Sequence, residues 1–149
     1  MNIRRTAAIG YTVLSAGVAA FQVALAAGAP WGLFAMGGAF PGQFPPAMRV
    51  AALVQAALVA LMAAMVLSRA GVALPAWSRA SRRLVWLIVA VGAASLVMNV
   101  VTPGAGERAV WAPVAFLLLA CSILVATGPA TEEQLVQERP GIPGGQQGS

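Results

Sequence analysis

The stretch "MRVAALVQAALVALMAAMVLS", residues 48–68, holds one charge, at Arg49, and one amide, at Gln55, in an otherwise apolar run. A helix rises about 1.5 Å per residue, so a run of this length crosses a hydrocarbon core of roughly 30 Å. Folding in water would leave that surface exposed. Three further runs behave the same way, about Thr6–Ala27, Leu84–Thr102 and Ala109–Thr127. All four come to about 28–33 Å as helices, which matches a bilayer with little tilt.

Composition agrees. Of 149 residues 60% are hydrophobic and 9% charged, whereas a soluble domain carries about a quarter charged residues. The expected fold is all-α, a transmembrane four-helix bundle over residues 1–128, with a cytoplasmic tail over 129–149. That tail, "GPATEEQLVQERPGIPGGQQGS", has few aliphatics to offset its ordering entropy and reads as disordered.

The arginines set the orientation. All nine bases are Arg. Arg4 and Arg5 precede the first span, and Arg69, Arg79, Arg82 and Arg83 border the connection between the second and third. Only Arg49 and Arg108 fall on the other side. Basic loops resist translocation, so both termini are expected in the cytoplasm and the chain in the plasma membrane. A sequence pI near 11.5 also raises nucleic acid as a partner. These arginines flank apolar runs, where headgroup anchoring explains them, so no nucleic acid is expected. "MNIRR" and Ala24-Leu25-Ala26 also suit a signal peptide and its cleavage site. The apolar run is longer than a usual signal core, and an uncleaved helix is the favoured reading.

Between the first two spans lies "APWGLFAMGGAFPGQFPPAMR", residues 29–49, too broken by Gly and Pro for a helix and too apolar for a solvent loop. Non-helical backbone at membrane depth must rest on protein or line a cavity. The segment is therefore expected to cap the outer ends of the helices as a lid. Polar side chains gather at the same level: Gln22, Arg49, Gln55, Asn99 and Glu107, with Trp31 and Trp111 beside them. Buried polar groups are costly unless satisfied, and sharing one depth allows mutual satisfaction. This set is the candidate ligand-binding or structural cluster. A direct Arg49–Glu107 pair, or one bridged by Asn99, is weighed against local roles: capping by Glu107 and snorkelling by Arg49. Ala52, Ala56, Ala60 and Ala64, and likewise Ala16, Ala20 and Ala24, form small-residue stripes suited to close helix packing.

Several of these positions carry a resemblance. Pro30, Trp31, Gly32, Gly37, Gly38, Pro41, Gly42, Pro45, Arg49, Asn99, Glu107, Arg108, Trp111 and Pro113 give the pattern PWG…GG…PG…R with ERxxWxP. The chain resembles in this an uncharacterised family of small four-span bacterial membrane proteins, notably actinobacterial. The resemblance implies a fold and a location and lends no mechanism.

Chemistry is sparse. There is no His or Asp, and Glu107 is the sole acid outside the tail. The usual acid–base and nucleophile pairs cannot be assembled, so no catalytic residue is expected and the chain does not read as an enzyme. Metal ligands are too few, and no metal or other cofactor is expected. Cys121 lies in the last span without a basic neighbour in sequence and reads as a small buried thiol. The expected function is a non-enzymatic sensor, accessory subunit or binder of a lipid-like ligand. The alternative is a small oligomeric channel or transporter. Membrane lipid is the expected partner, with a second copy or another membrane protein as further candidates.

Overall fold

The computed structural model describes residues 2–128. The expected disordered tail lies outside the described residues. Four helices occur in this region: α1 (Ile3–Ala27), α2 (Pro46–Arg69), α3 (Ser78–Val101) and α4 (Ala105–Thr127). All four are long and apolar enough to cross a membrane, and the chain is a multi-pass membrane protein. Val13, Leu53, Leu87, Val97 and Phe116 are exposed on the bundle, as a lipid-facing surface requires.

Each helix begins before the apolar run that marks it, its backbone ladder continuing past the hydrocarbon-crossing segment. Asn2 caps α1, its side chain accepting from the Arg4 amide at 3.3 Å. Gly28, in the left-handed conformation at φ 102°, ends α1. Pro46 opens α2, where a missing N–H costs nothing. The largest extension is in α3, which starts at Ser78 rather than near Leu84. Arg79, Arg82 and Arg83 are thus helical, and a 3-10 turn at Pro75–Trp77 takes up part of the short connection before them.

The helices alternate in direction. One end, the basic end, collects the start of α1, the α2–α3 connection and the end of α4. The lid end collects residues 28–45 and the α3–α4 turn. Helix α1 packs beside α2 and α4, and α3 packs along α4. The main core lies toward the basic end, where Ala7, Ala8, Tyr11, Val66, Val85 and Val125 meet. Met62 and Met65 pack against it, as gap-filling residues do. A smaller core of Leu25, Phe44 and Ala52 joins the lid to α1 and α2.

Two sequence expectations change here. On α2, Ala52, Ala56 and Ala63 are buried, but Ala60 is exposed. On α1, Ala16 and Ala20 are exposed, and the packed face runs through Arg4, Ala8, Tyr11 and Ser15. Spacings of four, three and four residues place those groups one above another on a single side. Arg4 is 1% exposed. It does not reach to headgroups, and donates from Nη2 to the Arg69 carbonyl at the end of α2. With Ser68 and Ser81, also buried, it makes a second polar level at the basic end, so polar groups are not confined to one depth.

Candidate functional site

Residues 29–45 fold back over the bundle as the sequence suggests. Gly32 is buried, and its amide donates to the Gly42 carbonyl at 2.9 Å. A Cβ on Gly32 would lie 2.0 Å from the Phe40 carbonyl oxygen, so only glycine allows the two arms of the lid to close. Trp111, on the second turn of α4, donates from Nε1 to the Phe34 carbonyl at 2.7 Å. Its ring meets Phe21 of α1 edge-on at 4.7 Å, and Phe21 stacks on Trp31 at 6.2 Å. Phe44 is buried and packs edge-on against Phe40. Replacing Trp111 by Phe keeps the ring and removes the donor. A loss of about 1 kcal/mol is expected in thermal unfolding in mild detergent, with faster amide exchange at residues 32–38.

Arg49 and Glu107 do not pair. Arg49 donates from Nε to the Phe44 carbonyl at 2.8 Å and from Nη2 to the Gln43 side chain at 3.5 Å. Its guanidinium lies over Gly28, with nitrogens 3.4 Å from where a Cβ would stand. A cation over a helix C-terminus is favourable, so Arg49 binds the lid to the end of α1. Glu107 accepts from the Thr102 hydroxyl at 3.4 Å, within the first turn of α4. Asn99 does not bridge them, since its amide donates to Ser95 of its own helix at 2.8 Å. Arg108 turns back to the Thr102 carbonyl at 3.0 Å. Among the described residues no bond links Arg49 to Glu107.

Beneath the lid is a cavity of about 770 Å³. Phe34, Ala35, Met36 and Gly37 roof it, and Tyr11, Met62, Ile88 and Leu118 close it toward the basic end. Its mouth lies between α2 and α3, where Gln55, Leu58, Val91, Ser95 and Met98 line it and are exposed. These two helices pack together at the basic end, through Val66, Val85 and Ile88, and part toward the lid. Lipid tails would meet this opening directly.

Five of the seven candidate residues line the cavity: Gln22, Gln55, Asn99, Glu107 and Trp111. Trp31 and Arg49 stay outside it and fasten the lid. Sequence reasoning missed Ser15, which is 2% exposed and lines the same cavity. The Tyr11 hydroxyl, one turn away on the same face, is its polar neighbour. The signal was the packed-face spacing from Arg4 to Ser15. Cys121 is half-buried, its sulfur 3.7 Å from where a Cβ on Gly10 would stand, and it packs α4 on α1. No cluster suited to a metal ion occurs among the described residues.

No family model, curated protein or solved structure matches the chain. The site is therefore read from its own geometry. Its volume falls in the range of small-ligand pockets, about 300–1,000 Å³. Its walls are apolar, its polar atoms sit mainly at the lid level, and one side opens toward the membrane interior. Such a space can hold an elongated molecule with a polar head under the lid and an apolar body between α2 and α3.

Proposed function

We propose that the protein is a non-enzymatic binder of a lipid-like amphiphile, in the plasma membrane, with both termini cytoplasmic and the lid on the outer side. The orientation rests on six arginines, Arg4, Arg5, Arg69, Arg79, Arg82 and Arg83, at the basic end against Arg49 and Arg108 at the other. The resemblance to small four-span bacterial membrane proteins suits the same reading. The observation that carries the function is the lateral cavity, apolar along its length and polar beneath the lid. An amphiphile entering from the bilayer keeps its tail in apolar surroundings throughout and exchanges headgroup water for Gln22, Gln55 and Asn99.

A transmembrane conduit through one chain fits less well, because the packed core at Ala8, Tyr11, Val66, Val85 and Val125 closes the basic end. Catalysis lacks reacting pairs around the one acid that lines the cavity, Glu107.

Replacing Gln55 by Trp puts a large ring at an exposed position on the mouth. Native mass spectrometry of protein released from membranes in mild detergent should show one retained amphiphile on the wild type and at least about tenfold less on the variant. Equal retention by both, or none by the wild type, contradicts the reading.

A further inference from the structure

We infer that the cavity selects an amphiphile with a cationic head, bound at Glu107; this rests on the cavity reading above. Glu107 lines the cavity and is 8% exposed. One oxygen, Oε2, accepts from Thr102, and no bond to Oε1 occurs among the described residues. No arginine lines the cavity. The two arginines at this end bond backbone carbonyls, Arg49 that of Phe44 and Arg108 that of Thr102.

A carboxylate facing a low-dielectric space favours a cation beside it, and among the described residues no arginine lines the cavity to fill that place. The start of α4 gives a partial positive charge, which favours the anion locally and leaves its net charge facing the cavity. The aromatic wall points the same way. Phe21, Phe34 and Trp111 line the cavity with Glu107, and ring faces attract quaternary and primary ammonium groups. An anionic head would meet like charge with no base to hold it.

Two sources share this chemistry: the ammonium of a bilayer lipid and a dissolved lipophilic cation. The test is isothermal titration of the full chain in nanodiscs of digalactosyldiacylglycerol, an uncharged lipid without an ammonium, with empty discs subtracted. The probes are decyltrimethylammonium, decanol and decanoate, which share one tail. The cation should bind about tenfold or more tightly than the alcohol, and decanoate weakest. In Glu107→Gln the ratio of cation to alcohol affinity should fall about tenfold, and alcohol binding by the same sample reports that it is folded. Gln55→Glu, which adds a carboxylate at an exposed cavity position, should raise the ratio about threefold or more.

Discs containing phosphatidylethanolamine separate the sources. Competition with the probe makes a lipid ammonium the occupant, and no competition makes it a dissolved cation; both keep the cationic head. Equal binding of the three probes overturns the inference and leaves the cavity reading standing. No binding of any probe overturns both. An unchanged ratio in folded Glu107→Gln overturns the inference, and should that variant fail to fold, an unchanged ratio in Gln55→Glu does so.

Discussion

Gly32→Ala is expected to open the lid and to be the most damaging glycine-to-alanine change among the described residues. The added carbon would lie 2.0 Å from the Phe40 carbonyl oxygen and 2.8 Å from that of Gly42. Both are backbone atoms, so no side-chain rotation relieves the overlap, and the 2.9 Å bond from the Gly32 amide to Gly42 must break. The expected loss is about 3 kcal/mol, the upper part of the range for overpacking. It should appear as a lower melting temperature in detergent and loss of amide protection across residues 32–44.

Gly38→Ala is the comparison. Gly38 has φ 77°, but a Cβ there meets only Leu33 atoms at 3.5 Å, so the penalty is backbone strain of about 1–2 kcal/mol. Equal melting of the two variants would show that the lid does not close through Gly32.

Arg4→Met carries the second large effect. The methionine keeps most of the apolar stem and deletes the guanidinium that reaches the Arg69 carbonyl. That carbonyl closes α2, where the negative end of the helix also favours a cation. Gly128 covers the arginine so closely that a Cβ there would lie 2.9 Å from Arg4 Cδ, and water has little room to replace the lost bond. A loss of about 2–3 kcal/mol is expected, the range for a hydrogen bond to a charged group. Arg5→Met removes the same charge from the same end at an exposed position and should change stability by about 0.5 kcal/mol or less. The difference between the two isolates the cap from any effect of charge on topology. Similar losses in both would remove the cap.

Depth was legible in the sequence and direction was not. Hydropathy located all four spans, and a Gly/Pro-rich apolar segment beside the level of Gln22, Gln55, Asn99 and Glu107 foretold a lid. Helix starts were placed too far in, most of all at α3, because the arginines flanking its apolar run are themselves helical, whereas the C-terminal ends matched to within one residue. The Arg49–Glu107 pair was a reasonable inference from shared depth. It fails because a common level says nothing about which way two side chains turn around the bundle, and nearer backbone carbonyls held Arg49 and Arg108.

Arg4 shows the same limit from the other side. An arginine at a membrane boundary reads as a headgroup anchor, and only its spacing to Ala8, Tyr11 and Ser15 marks it as inward-facing. The parting of α2 from α3 had no signal at all. The relative placement of two helices depends on contacts far apart in sequence, which no local pattern encodes.

A bilayer lipid bearing a diazirine on its acyl chain tests most directly whether an apolar tail lies between α2 and α3 beneath the lid. After irradiation in membranes and peptide mass mapping, label is expected on the cavity-lining residues Met62, Ser95 and Asn99 as well as on the lipid-facing surface, and Gln55→Trp should deplete the cavity label alone. Label confined to outward residues such as Val13, Phe116 and Leu117, in both proteins, would show that no tail enters and that the cavity is not a binding site.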